Sequence, residues 1–316
     1  MRVECVLNVI LMLGYACMNL TLRERDPPLR CNRGMQQKTW NSRGISYASE
    51  LAVQNVSDLY EILRWNVDHD IYFYRCTSDL IPWNSQFELA DLPDYEEITR
   101  IAADCGRIVR ENDIRFTFHP SYWCKLASES AETVDNSIRD LEVHGSWLDL
   151  LGLPRTPYYS INIHIGAHYN DKEATADRFQ EAVNRLSPAV RKRLTVENDD
   201  KEGLWSVPEL VEAVAEPLEV PIVFDYHHHQ FTSRGLTYRE AFELAAQTWG
   251  DVRPIAHYSE PARLYQQDAR PQAHADYISS VPAWLLDGAD VMLEAKSKER
   301  ALLRCRNSTG SAVGMP

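Results

Sequence analysis

The chain has 316 residues, 44% hydrophobic and 25% charged, the balance of one sizeable globular domain. That composition excludes a disordered tail protein, a collagen-like fibre and a small disulfide scaffold. With 33 basic against 46 acidic residues, the formal net charge of −13 also excludes binding to nucleic acid through bulk charge alone.

Any polyanionic partner must therefore meet a local basic surface or bound cations. The basic residues are 26 Arg and only 7 Lys. An acidic, Lys-poor chain fits a salt-rich cytoplasm, where charge is heavily screened, and equally an ordinary acidic cytosolic protein. The seven cysteines (Cys5, Cys17, Cys31, Cys76, Cys105, Cys124 and Cys305) include no CxxC pair, so free thiols in a reducing cytoplasm are expected.

Residues 6–17 form an apolar run that could pass for a signal segment with Cys17 as lipid acceptor. Arg2 and Glu4 make a poor positive leader, Asn8 interrupts the run, and the run is too short to span a bilayer. A buried first strand is the preferred reading, in a soluble protein with no membrane partner.

Seven more short apolar runs follow, so that strands are expected over 10–16, 71–77, 115–119, 160–165, 194–198, 222–228, 255–259 and 291–295. Runs apolar on both faces and rich in Val, Ile, Tyr and Phe fit buried parallel strands. Between them lie helical patterns. Ile98, Ile101, Ala102, Cys105, Ile108 and Val109 make one stripe, and Val134, Ile138, Leu141 and Leu148 another. Ser206 with Glu209 and Thr237 with Glu240 read as helix starts, with Pro208 in the first turn of one.

Eight strand–helix units predict an α/β fold, a single-domain (β/α)8 TIM barrel, with a doubly wound open sheet as the alternative. The expected division is an N-terminal extension over 1–9, the barrel over 10–306 and a flexible tail over 307–316. Residues 23–47 read as the longest irregular stretch and 266–272 as a second loop.

The runs end in His119, His164, Glu197, Asp225, His228, His257 and Glu294, and His274 lies just beyond the seventh. In a barrel of this kind strand ends converge on the C-terminal face, where active sites sit. One His after a strand is more often a hydrogen-bonded structural group. Seven such residues at the same end argue for a shared role. Imidazole and carboxylate without thiolate suit Mn2+, Zn2+ or Fe2+. The set exceeds what one ion takes, so two or three ions are expected, with Glu197 and Glu294 able to bridge. Spacing does not choose among His227, His228 and His229. His69 and His144 read as surface or packing residues, and His168 stays open.

At these residues the chain resembles the UV damage endonuclease family, in the wide group of metal-dependent barrels that includes endonuclease IV and xylose isomerase. The pieces that carry the resemblance include LGYACMNLTL (13–22), FHP (118–120), NIHIG (162–166), VENDD (196–200), DYHHH (225–229), HYSEP (257–261) and DVMLEAKSKE (290–299). The resemblance implies a barrel that nicks double-stranded damaged DNA immediately 5′ to UV photoproducts, cyclobutane dimers and 6-4 products. The step is independent of ATP and opens excision repair.

It also implies a Mn2+ cluster, with Zn2+, Co2+ and Mg2+ as alternatives, held by His119, His164, Glu197, Asp225, His228, His257, His274 and Glu294. Glu197, Glu294 and His119 are the implied catalytic residues. Tyr15, Asn19, Tyr122, Trp123 and Lys296 are the implied DNA contacts, and no obligate protein partner is implied.

The chain departs from the family pattern at three points. Tyr122-Trp123 stands where the family carries a Gln-Tyr probe of the lesion. Ile255 replaces a metal-bridging Lys of some relatives, which weakens or removes a third ion. Asp79 stands in place of a His, where it could still bind a metal or order its water. Arg23, Arg25, Arg30, Arg33 and Arg43, with Lys125, Lys296 and Lys298, are candidate phosphate contacts on this face. The alternatives are an apurinic endonuclease of the endonuclease IV type, a sugar isomerase or epimerase on the same barrel, and a damage-binding protein without catalysis.

Overall fold

The structure, a computed structural model, describes residues 12–310, with side chains to Asn307. The eight strands are β1 (Leu13–Ala16), β2 (Phe73–Cys76), β3 (Arg115–Phe118), β4 (Ile161–Ile163), β5 (Leu194–Glu197), β6 (Ile222–Asp225), β7 (Ile255–Tyr258) and β8 (Asp290–Leu293). All neighbours pair in parallel, and β8 closes on β1 through Tyr15 opposite Leu293. The sheet is a closed barrel with helical crossovers, so the open-sheet alternative falls.

Alternation along each short strand divides the side chains. One set points outward and packs beneath the helices as the main core. The other points inward, where Ala16, Phe73, Val223, Ile255 and Met292, with Trp249, make an apolar floor inside the barrel. Gly14 lacks a side chain because a Cβ there would stand 2.7 Å from the Phe73 ring.

Helix Tyr95–Glu111 buries Ile98, Ile101, Cys105 and Val109, the stripe expected from its spacing. Helix Ala131–Leu150 buries Val134, Leu141 and Leu148. Both expected start signals form capping boxes, Ser206 with Glu209 and Thr237 with Glu240.

Three expectations are corrected. Residues 37–47 are not irregular: they open the long helix Gln37–Asp68, broken at Gly44, whose φ of 59° lies in the left-handed region. Their polar composition hid the turns, which Trp40 anchors by stacking 5.2 Å from Trp83. The tail does not begin at 307, because helix Lys298–Gly310 runs through it; residues 311–316 lie outside the described residues. The first strand begins at Leu13, and residues 1–11, with the expected extension over 1–9, also lie outside the described residues.

At the floor end, Arg115 and Asp290 open β3 and β8 and are almost fully buried. Arg115 Nη1 lies 2.6 Å from Asp290 Oδ2, and Arg253 Nε lies 2.9 Å from Oδ1. Removing one partner from a buried pair leaves the other charge uncompensated. Asp290→Asn is expected to lower stability by about 3–5 kcal/mol in urea unfolding. A change within 1 kcal/mol would show that the pair does not hold the floor.

Candidate metal centre at the barrel mouth

The inward side chains at the C-terminal strand ends meet around Glu197, the last residue of β5 and buried. His257 Nδ1 approaches Glu197 Oε2 to 2.9 Å, and His119 Nε2 approaches the same oxygen to 3.3 Å. On the other oxygen, His228 Nδ1 stands at 3.2 Å and His164 Nε2 at 3.8 Å. Glu294, just past β8, lies 3.4 Å from His257 Nδ1. Ligand atoms of three overlapping groups converge within 4.8 Å of one another: His119–His164–Glu197, Glu197–Asp225–His228 and Asp225–His257–Glu294. Seven of the eight expected ligands fall in these groups. His274 stands at the edge, its Nε2 3.8 Å from Glu294 Oε2 and its Nδ1 2.6 Å from Ser259 Oγ.

The triple His sits differently from the strand expectation. β6 stops at Asp225, which caps the helix Tyr226–Thr232 by accepting from His228 N at 2.7 Å. Successive residues on a helix point about 100° apart, so only one of three neighbours faces the cluster. His228 takes that place. His229 contacts the Leu236 carbonyl at 3.0 Å, and His227 pairs with Gln230 at 2.8 Å. His144 packs edge-on against Phe118, His69 stacks on Trp65, and the His168 ring accepts from Asn170 N. Asp79 is exposed and joins none of the three groups.

Burial favours the neutral ring of His164, yet Glu197 and Asp199 push it up to about 9. Burial opposes charge on His228 as well, and Asp225 and Glu197 outweigh it, raising that ring well above its ordinary value. Glu197 is held well below the carboxylate range: burial works the other way, but His257 and His164 prevail. Glu294 is held low against burial by Arg75 and His257. Burial pushes Asp225 up and His119 down.

Four buried atoms here make no hydrogen bond among the described residues: Glu197 Oε1, Asp225 Oδ2, His164 Nδ1 and His257 Nδ1. Buried polar atoms left in this way are costly, and divalent cations would satisfy them. The donor set and these orphan atoms fit a divalent metal centre.

Several supporting residues escaped the sequence reading. Asn162 donates to Glu197 Oε2 at 2.5 Å and is itself held by Thr195 at 3.0 Å. Asn198 pairs reciprocally with the Asp225 backbone, and Asp199 stands 3.4 Å from His164 Nδ1. Arg75, on β2, ion-pairs with Glu294. Asn162 lies two residues before His164 and so shares its face, a signal the strand period carries. Arg75 is a charge inside an apolar run, which is rare without a partner.

Beside the cluster opens a cavity of about 420 Å3, lined by His119, Tyr122, Lys125, His164, Lys201 and His228 among others. Tyr122 and Trp123 are each 71% exposed, with ring centroids 4.4 Å apart. Lys296 is exposed, 3.8 Å from Asp276. Tyr15 and Asn19, the other implied DNA contacts, are both buried: the Tyr15 hydroxyl donates to Asn66, and Asn19 donates to that hydroxyl. Tyr15 points outward from β1 into the helical shell, and Asn19 caps the next turn. Of the first-loop arginines, Arg33 is engaged by Asp58 at 2.6 Å and Arg43 by Glu50 at 3.1 Å, while Arg25 and Arg30 are exposed.

The family model described as UV-endonuclease UvdE matches residues 11–311. The chain belongs to this UV-endonuclease family. A UV-damage endonuclease of Neurospora crassa is 31% identical, over 92% of this chain and 50% of its own length. The chain thus spans about half the length of that fungal relative. A UV DNA damage endonuclease of Bacillus thuringiensis is 27% identical over 97% of both chains. The crystal structure of SacUVDE matches with a TM-score of 0.81 at 29% identity, covering 96% of this chain and 99% of that one. Among the described residues, no helix of this family member is long and apolar enough to cross a membrane.

The raised His164 gives the metal-free fold a proton-linked term. Its folded value of about 9 exceeds its reference of 6.5, so the stabilisation is full below 6.5 and lost as pH rises through 9. Metal binding replaces that proton. The gain in thermal midpoint on adding Mn2+ to chelator-treated protein is therefore expected to grow between these two pH values. A gain independent of pH across that window would contradict the protonated centre.

Proposed function

We propose that the chain is a metal-dependent endonuclease that nicks duplex DNA immediately 5′ to UV photoproducts, including cyclobutane dimers and 6-4 products. The observation that carries this reading is that His119, His164 and His228 of the carboxylate–imidazole centre line one cavity together with exposed Tyr122, whose neighbour Trp123 is equally exposed. Family membership supports it.

In this reading His119, His164, Glu197, Asp225, His228, His257 and Glu294 hold two or three divalent ions, Mn2+ first among them, with His274 joining at the edge. Bound ions of this kind polarise a phosphoryl oxygen, lower the pKa of water and stabilise a leaving oxygen. Glu197 and Asp225 each belong to two of the three groups, so either carboxylate could be shared between neighbouring ions. Asn162 fixes the orientation of the Glu197 carboxylate. His119, kept neutral by burial, is in the form a ligand or proton acceptor needs. Ile255 lies in the apolar floor beneath the cluster, and its hydrocarbon side chain offers no ligand atom.

Tyr122 and Trp123 stack on bases opened at the lesion, where damage has already lowered the unstacking cost. Lys125 and Lys201 line the cavity, and Lys296 is exposed just after β8; all three are candidate phosphate contacts.

The deciding experiment incubates end-labelled duplexes carrying one cyclobutane dimer, one abasic site or no lesion with protein and Mn2+, across salt. A chelator-sensitive cut immediately 5′ to the dimer supports the proposal. Cutting at the abasic site alone would replace it with an apurinic activity. Glu197→Gln is expected to abolish nicking while circular dichroism stays unchanged. Trp123→Ala and Tyr122→Ala are each expected to weaken dimer binding by about 1–3 kcal/mol; wild-type affinity in both would remove the aromatic pair from recognition.

A further inference from the structure

Five large apolar or aromatic residues are exposed among the described residues: Tyr122, Trp123, Leu264, Tyr265 and Tyr277. The first two follow β3. The other three lie on the β7–β8 connection. In a closed ring of eight strands, β3 and β7 are four strands apart in either direction. Their loops therefore rise from opposite sides of the mouth, with the metal centre between them. Exposed apolar groups gathered on one functional face mark a contact surface rather than chance.

The second loop is firmly rooted. Pro261 and His274 form a β-bridge, and Ala262 N donates to the Ala273 carbonyl at 2.7 Å. Buried Glu260 accepts from the Tyr265 hydroxyl and from Ser279 N at 2.8 Å. The polar end of Tyr265 is thus engaged, and its ring is left outward beside Leu264, with exposures of 62% and 66%. Over residues 261–276 Arg263 and Arg270 balance Asp268 and Asp276, and Glu260 is buried beneath them. Such a surface suits the apolar faces of sugars and bases, not phosphate.

We infer that Leu264 and Tyr265 form a second DNA-contact element, which packs into the groove of the duplex flank opposite the Tyr122–Trp123 pair. This inference rests on the endonuclease reading above. Apolar wedges and packing residues are an established way to hold a groove. The contact is insensitive to salt, which matters for a chain of net charge −13.

The test measures binding of a dimer-containing duplex by anisotropy, in the Glu197→Gln background with Mn2+. Leu264→Ser is expected to weaken binding about tenfold, and Leu264→Ser with Tyr265→Ser more, with the slope of affinity against salt unchanged. Shortening one flank should weaken the unsubstituted protein and leave the double variant indifferent. Tyr265→Phe keeps the ring without its bond to Glu260, and should bind as before; it separates ring contact from loop integrity. Unchanged affinity in the double variant, or a loss matched by Tyr265→Phe, would overturn the inference. Nicking by the wild type is the separate control: its absence would sink the endonuclease reading itself.

Discussion

Glu197 is the constraint on which the mouth of this barrel depends. A buried carboxylate is tolerated only where charge or hydrogen bonds compensate it. Here four imidazoles from β3, β4, β7 and the turn after β6 stand within 4 Å of its two oxygens. Asn162 then fixes which way the carboxylate faces. The barrel supplies the meeting point, because the ends of parallel strands in a closed sheet cannot avoid one another. Fold and chemistry are joined at this residue.

The eight strands and most of the side chains that converge at the mouth were legible because two periodicities run through the chain. Period two marks buried strands, and period 3.6 marks the helices between them. What stayed hidden has local causes. The His triplet could not be resolved by strand logic, since Asp225 ends the strand and starts a helix. Helix Gln37–Asp68 begins in polar residues with a glycine break, which carry no amphipathic signal. Tyr15 was expected at the DNA only because the family resemblance implied it. Its burial follows from the alternation of β1, which sends it outward into the shell. Arg75 and Asn162 act through other residues, and no motif spacing announces such support.

Net acidity and the proposed DNA substrate are compatible because of where the charge lies. At the mouth imidazoles and a few Lys face the carboxylates of Glu197, Asp225 and Glu294, while other acids lie on helix surfaces in pairs with Arg, such as Asp104 with Arg107 and Asp149 with Arg155. Exposed pairs of this kind contribute little stability. They do leave the outer surface without a broad attractive field for DNA. In the proposed function recognition would then fall to short-range features of the mouth: aromatic rings, shape and the charge of bound ions.

The apolar floor has a kinetic meaning. Phe73, Val223, Trp249, Ile255 and Met292 fill the barrel beneath the centre, so ions and water reach Glu197 from the mouth side alone. A duplex laid across the mouth would close that route. Metal exchange would then be fast in the free protein and slow in the complex, and each binding event would proceed with the ions it began with. With such a floor, bound DNA would itself be the door of the metal site.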